Sequence, residues 1–118
     1  MSDLEKVKSE KFIYLTTTGR KTGKPHTVEL WFATSGDRVY LSHEGKATDW
    51  MKNIQKNPKV NIRIGKVQLA GKATSTKEGS ESREAGKKSL YEKYYGPATK
   101  AVVDDWFELS EVLEIVPS

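Results

Sequence analysis

The residues best suited to chemistry form a basic turn, which begins at Gly19 and ends at Lys24 between two strand-like segments. Its three cations, Arg20, Lys21 and Lys24, fall within five residues and have no carboxylate nearby in the sequence. Gly19 and Gly23 let backbone N–H groups approach a ligand closely. Such a turn is suited to phosphate or carboxylate groups. Taken alone, it is equally well explained as an ordinary solvated hairpin loop.

The turn does not match a nucleotide-binding P-loop. Three residues separate its glycines instead of four, and Lys24 is followed by Pro25 where a P-loop has Ser or Thr. A P-loop also opens a helix, whereas the residues from Pro25 to Phe32 are predicted to form a strand. The sequence contains no G-x-G-x-x-G motif, so a Rossmann dinucleotide site has no support.

A second polar segment, from Ser42 to Lys46, follows the third predicted strand. We expect the first three strands to form an antiparallel meander, which returns this segment to the side where the second strand begins. The Ser42 hydroxyl and Lys46 would then lie beside the basic turn and complete a pocket of four cations. Thr48 and the N-terminus of the helix beside it would add partial positive charge.

The remaining polar residues form no recognisable catalytic or metal-binding group. His26 and His43 are the only histidines and have no further ligands at metal-binding spacing, so no metal is expected. No nucleophile elbow or carboxylate dyad is present, so the chemistry of an enzyme would belong to a cofactor. We assign no catalytic acid; His43, Tyr40 or a water could protonate a product. For Trp50, core packing is favoured over a role in a pocket wall.

Alternation of apolar and polar residues predicts six strands, at residues 12–18, 25–32, 38–42, 60–64, 67–73 and 111–116. Helical spacing predicts helices at residues 46–57 and about 80–95, and a short helix that restarts at Gly96-Pro97. The first helix is expected to keep Asn53 on its outer face. The last is expected to place Ala98, Ala101, Val102 and Trp106 on one face. The order β-β-β-α-β-β-α-α-β is typical of a small closed or half-open barrel.

Composition limits the class of protein. With 118 residues and a hydrophobic fraction of 36%, we expect one globular domain, residues 1–118. The net charge of +4 indicates only a slightly basic surface, and the lack of cysteine excludes disulfides and thiolate metal sites. The first residues lack the apolar stretch of a signal peptide, and no run approaches membrane-spanning length, so we expect a cytoplasmic protein.

Two motifs resemble those of the deazaflavin-dependent nitroreductase family. The first is T-T-G-R-K-T-G-K-P at residues 17–25, and the second is D-W-x-x-N-x-x-x-N-P-x-V at residues 49–60. The similarity covers roughly residues 12–65, and the two motifs are specific together rather than singly. This family belongs to the flavin-binding split β-barrel group related to pyridoxamine phosphate oxidases. The resemblance therefore implies a mainly β (α+β) fold, a six-stranded antiparallel split β-barrel with peripheral helices.

The resemblance also implies a cofactor, the deazaflavin coenzyme F420, whose tail carries phosphate and glutamates. In the family, the segment that matches Arg20 to Thr22 holds the phosphate, and the strand that matches Pro25 to Val28 runs beside the ring. The residues expected to bind the cofactor are Arg20, Lys21, Thr22, Pro25, His26, Thr27, Val28, Ser42, His43, Lys46 and Trp50. At residues 42–46 the family often has a Ser-Lys-Gly-Gly type sequence, whereas this chain has Ser-His-Glu-Gly-Lys. FMN therefore stays open as the alternative cofactor.

The expected function is that of an oxidoreductase in which reduced F420 or FMN transfers hydride to a small electron-poor acceptor, such as a quinone, nitro compound or enone. The resemblance further implies a homodimer. One alternative is a non-enzymatic flavin-binding or storage protein, and another is a small basic barrel that binds nucleic acid. Nucleic acid is less favoured, because the aromatic residues fall at alternating or helical apolar positions and predict no exposed row for stacking bases.

Overall fold

The computed structural model describes residues 3–45 and 48–118, which contain four helices and seven strands. The helices are α1 Asp3–Val7, α2 Asp49–Lys56, α3 Glu81–Tyr95 and α4 Lys100–Trp106. The strands are β1 Phe12–Thr18, β2 Pro25–Trp31, β3 Ala33–Ser35, β4 Arg38–Glu44, β5 Lys59–Ile64, β6 Val67–Ser75 and β7 Ser110–Pro117. The predicted mainly β class with peripheral helices is confirmed, with one strand more than expected.

All seven strands form one antiparallel sheet in the order β2-β1-β5-β6-β7-β4-β3. The predicted three-stranded meander is wrong, because β4 pairs with β3 and β7 and not with β2. The strand breaks at Phe32, which is fully buried, and Ala33–Ser35 then pairs with β4 across the turn at Gly36. Alternating polarity shows which face of a strand is buried but does not identify its neighbour.

The sheet curls into a half-open barrel. Ile13 on β1 and Leu41 on β4 are four positions apart in the strand order, yet both belong to one buried cluster with Ile62 and Ile115. The edge strand β2 approaches β4 across the remaining opening without pairing to it. We call this opening between β2 and β4 the split. Along it, the outer backbone groups of β2 have no strand partner among the described residues.

Helix α2 packs its apolar face onto the barrel, where Trp50, Met51 and Ile54 are buried as predicted. The expectation that Asn53 lies on the outer face is wrong, because this residue is only 2% exposed. The short helix α1, which the sequence did not predict, buries Leu4 on the same cluster. None of the helices in the described part of the chain is long and apolar enough to cross a membrane.

Helices α3 and α4 cover a second cluster on the outside of the sheet. Ser80 caps α3, since its Oγ accepts a hydrogen bond from the Arg83 backbone N–H at 3.2 Å. The predicted apolar face of α4 is wrong, because the structure buries Val103 and Phe107 and leaves Val102 and Trp106 about half exposed. Thr99 caps α4, so the helix begins later than Gly96-Pro97 and docks through a different face.

Candidate functional site

The basic turn has a fixed shape at the end of the β1–β2 hairpin. The Gly19 N–H donates to the Lys24 carbonyl at 2.7 Å, and the Gly23 N–H donates to the Gly19 carbonyl at 2.8 Å. Gly23 has φ 72°, a conformation that favours glycine. At Gly19 a Cβ would lie 2.9 Å from Nε2 of His26, so the exposed histidine ring would have to move if a larger residue stood there.

Arg20 is held by two residues of α2. Its backbone N–H and its Nη1 both donate to Oδ1 of Asn53, at 3.1 and 3.0 Å. Its Nη2 donates to Oδ1 of Asp49 at 3.2 Å. Asn53 Nδ2 donates to Oγ1 of Thr17 at 3.1 Å, so one network joins β1, the turn and α2.

This network corrects the expectation that the basic turn has no carboxylate near it. The sequence shows no carboxylate near the turn, but the fold brings Asp49 to Arg20 from 29 residues away. Asn53 was not among the predicted site residues, although it is the Asn of the D-W-x-x-N motif. Apolar periodicity could not reveal it, because a buried polar residue is recognised only by its distant partners.

A cavity of about 430 Å³ lies between the turn, β2 and α2, and we call it the cationic cavity. Its walls are formed by Gly19, Arg20, Lys21, Thr22, His26, Thr27, Val28, Asp49, Trp50 and Asn53. The structure thus brings together most of the residues expected to bind a cofactor. Trp50 has both of the roles considered, because it packs in the barrel cluster and also lines the cavity.

The other predicted site residues are distributed differently. Pro25 begins β2 and is exposed outside the cavity wall. The His43 ring meets the Trp50 ring edge-on, with centroids 6.1 Å apart, so the end of β4 lies beside α2, although His43 is not part of the cavity wall. Ser42 lines a different cavity. Lys46, and with it the predicted four-cation pocket, lies outside the described residues.

Strand β2 contributes residues to both the cationic cavity and that second cavity. Within the described residues it pairs only with β1, so its backbone groups on the side of the split have no ladder partner. Such edge groups can hydrogen-bond an added flat ligand. Val28 lines the first cavity and Trp31 the second, about 10 Å further along the strand; because they are three residues apart, their side chains stand on opposite faces of β2.

The second cavity, which we call the aromatic cleft, has a volume of about 110 Å³. It is lined by Trp31, Ser42, Leu90, Tyr91, Tyr94, Tyr95, Trp106 and Phe107. Trp31, Tyr95 and Trp106 remain 44%, 50% and 54% exposed. The expectation of no exposed aromatic row is therefore wrong. The rings of the aromatic cleft contact one another, with the centroids of Tyr95 and Trp106 4.9 Å apart. They come from β2, α3 and α4, so no local pattern in the sequence could show that they meet.

Tyr40, one of the candidate proton donors, is engaged elsewhere. Its hydroxyl donates to Oε2 of Glu114 at 3.0 Å, and Arg38 Nη1 donates to the other carboxylate oxygen at 2.9 Å. Burial, reinforced by Glu114, raises the pKa of Tyr40 to about 12. These hydrogen bonds to Glu114 link β4 to β7, and the Tyr40 hydroxyl is a poor proton donor.

Known structures identify the class of fold. A conserved hypothetical protein of Mycobacterium tuberculosis superposes with a TM-score of 0.79 and 25% sequence identity, over 99% of this chain and 81% of that one. An F420-H2-dependent reductase superposes with a TM-score of 0.71 and 24% identity, over 89% of this chain and 93% of that one. These structures confirm the predicted barrel fold.

The sequence then identifies the family. Residues 4–98 match the F420H(2)-dependent quinone reductases, and the chain belongs to this family of oxidoreductases. An F420H(2)-dependent quinone reductase of Mycobacterium tuberculosis is 40% identical over 58 residues, which cover 45% of this chain and 38% of that protein. The match therefore spans well under half the length of this curated relative. The resemblance to deazaflavin-dependent reductases is confirmed.

Proposed function

We propose that this chain is an F420-dependent reductase whose acceptor is a quinone. The observation that carries the proposal is the cationic cavity at the open edge of β2, in a member of the F420H(2)-dependent quinone reductase family. Family membership favours F420 over FMN, and it favours a quinone over a nitro compound or an enone.

The groups around the cationic cavity fit the anionic tail of F420. Arg20 and Lys21 supply positive charge, and Thr22 supplies a hydroxyl. The Lys21 side chain is exposed and forms no hydrogen bond or ion pair with another described residue. It can therefore contact a phosphate without breaking an existing interaction, and such charge-assisted hydrogen bonds are among the strongest in proteins.

The split fits the flat ring system of the cofactor. Thr27 and Val28 belong to the edge strand, whose outer backbone groups are available as donors and acceptors. Trp50 and His43 approach from the other side. The cofactor supplies the hydride chemistry when bound, and the role of these residues is to hold and orient it.

The aromatic cleft fits the acceptor. A quinone is flat and electron-poor, so it is stabilised by stacking on electron-rich rings such as Tyr91 and Trp106. Ser42 offers a hydroxyl to a carbonyl oxygen in the same cleft. His43 follows Ser42 on β4, so its side chain stands on the opposite face of the strand, beside Trp50, and we assign it no proton transfer to an acceptor in this cleft.

We also propose a homodimer, as the resemblance implies. Sedimentation velocity on the purified chain tests it directly: a species of twice the mass of 13.3 kDa is expected, and a monomer at all concentrations contradicts it.

The proposed function is tested by titrating the purified protein with F420 and with FMN. We expect F420 to bind more tightly than FMN, and reduced F420 to be oxidised when a quinone is added. Replacing Lys21 with Ala should weaken F420 binding about tenfold or more, because one charge-assisted hydrogen bond is lost. Lys66→Ala is the matched control, since Lys66 is also an exposed turn lysine but lies between β5 and β6.

Equal weakening in both lysine variants would contradict the assignment of the cationic cavity. Tight binding of F420 without oxidation by any quinone would favour the storage protein over the reductase. Tighter binding of FMN than of F420 would overturn the cofactor assignment.

A further inference from the structure

The guanidinium that the proposed function assigns to the cofactor already has an acidic partner. Nη2 of Arg20 donates to Oδ1 of Asp49 at 3.2 Å. Among the described residues that line the cationic cavity, Asp49 is the one carboxylate. Its side chain is 87% exposed, whereas the side chain of Arg20 is 25% exposed.

The two partners of Arg20 differ in character. Asn53 is neutral and 2% exposed, and its Oδ1 accepts from both the backbone N–H and Nη1 of Arg20. Its Nδ2 is bonded to Thr17, which is 1% exposed. Asn53 is thus fixed on both sides. Asp49 makes only an exposed ion pair, a kind of contact that contributes little to stability and is easily exchanged.

We propose that Asp49 competes with the anionic tail of the cofactor for Arg20, and that the tail displaces Asp49 when the cofactor binds. Asn53 is a positioning residue that keeps the guanidinium directed at the cavity. This inference rests on the proposed function. Arg20 keeps N–H groups that neither Asn53 nor Asp49 accepts from, so an entering phosphate competes with Asp49 for the guanidinium charge and for the Nη2 N–H that Asp49 holds. The Asp49 charge at the cavity wall also repels any anion that enters. Asp49 therefore limits the affinity of the site.

Two isosteric substitutions change the charge beside Arg20 in opposite directions. Asp49→Asn removes a negative charge and should tighten anion binding about two- to fivefold, the range expected for an exposed ion pair. Asn53→Asp keeps the oxygen that Arg20 contacts, and the Thr17 hydroxyl can donate to the new oxygen. It adds a negative charge that stays with Arg20, so anion binding should weaken about tenfold.

Asp37→Asn is the matched control, because Asp37 is an exposed carboxylate paired with Arg38 and lies outside the cavity wall. Wild type and the three variants are titrated with F420 by calorimetry. They are also titrated with inorganic phosphate, followed through the backbone amide resonances of Arg20 and Lys21. Thermal unfolding of each variant shows whether the fold is retained.

The proposal is supported if Asp49→Asn binds phosphate more tightly than Asp37→Asn does, and Asn53→Asp binds it more weakly. It is overturned if Asp49→Asn and Asp37→Asn bind both ligands equally. If wild type and the three variants all bind F420 with the same affinity, Asp49 does not compete for Arg20, and the proposed function stands. If none of the four proteins binds F420 but their phosphate affinities follow the expected order, Asp49 competes with anions for Arg20 and the cofactor assignment fails.

Discussion

Trp31 on β2 and Tyr94 on α3 stack face to face, with ring centroids 4.1 Å apart and planes inclined by 12°. The contact packs β2, on one side of the split, against helix α3. The Tyr94 hydroxyl also accepts a hydrogen bond from the Phe32 N–H at 3.0 Å and lies 2.8 Å from the Lys11 carbonyl. The Tyr94 side chain therefore stabilises the end of β2, and it also lines the proposed acceptor site.

We expect Tyr94→Phe to lower the free energy of unfolding by about 1–3 kcal/mol, because the Phe32 N–H loses its acceptor in a part-buried position. The ring and its stacking on Trp31 are retained. Urea unfolding measures the change. Tyr95→Phe serves as the control, since Tyr95 is 50% exposed and its hydroxyl forms no hydrogen bond with another described residue. Equal losses in the two variants would show that the hydroxyl contact at Phe32 is unimportant.

Lys93 should make stability depend on pH in the alkaline range. Its Nζ is buried without a hydrogen-bond partner among the described residues, 3.4 Å from the centroid of the Phe32 ring. Burial lowers the pKa of Lys93 from 10.5 to about 8, although Glu10 opposes the shift. Between about pH 8 and 10.5 the unfolded chain therefore binds a proton that the native state lacks, and the free energy of unfolding rises with pH.

Lys93→Met keeps the apolar stem and removes this titration. We expect the stability advantage of the variant over wild type to be larger at pH 7 than at pH 9.5, by urea unfolding at both values. Lys88→Met, an exposed position on the same helix, should show no such change. A difference between Lys93→Met and wild type that is independent of pH would contradict the lowered pKa.

Gly86→Ala should destabilise the protein although alanine is the better helix former. A Cβ at this position of α3 would lie 2.7 Å from Cδ1 of Tyr40 and 2.9 Å from Cγ1 of Val112. The Tyr40 ring cannot move away easily, because its hydroxyl is bonded to the buried Glu114. We expect a loss of about 1–3 kcal/mol, measured by thermal unfolding. Ser89→Ala on the same helix is the control, and a Gly86→Ala variant as stable as this control would refute the close packing.

Trp106→Ala tests the aromatic cleft as the acceptor site. The loss of one stacking ring should raise KM for a quinone about two- to tenfold and leave the Kd for F420 unchanged. Leu109→Ala provides the comparison, because Leu109 is 77% exposed and lies outside the cleft. A change in F420 affinity that matches the change in KM would mean that the cleft serves the cofactor and not the acceptor.

The sequence by itself determined the local elements and the chemical character of the site. Val60, Ile62 and Ile64 alternate in the sequence and are buried together in the structure, because the side-chain period of a strand is two. The basic turn between β1 and β2 was predicted from its glycines and cations, which need no distant partner to define a turn. The cation-lined cavity follows from that turn and from the motif that begins α2.

Only the tertiary structure decided which strands are neighbours and which polar groups meet. The pairing of β4 with β7, the bonds from Arg20 to Asp49 and Asn53, and the contact of Trp31 with Tyr94 all join residues at least 29 positions apart. Local periodicity shows which side of an element is buried, but it carries no information about the element packed against that side. For this reason the sequence predicted an anion-binding turn, while the acidic competitor and the aromatic cleft became visible only in the folded chain.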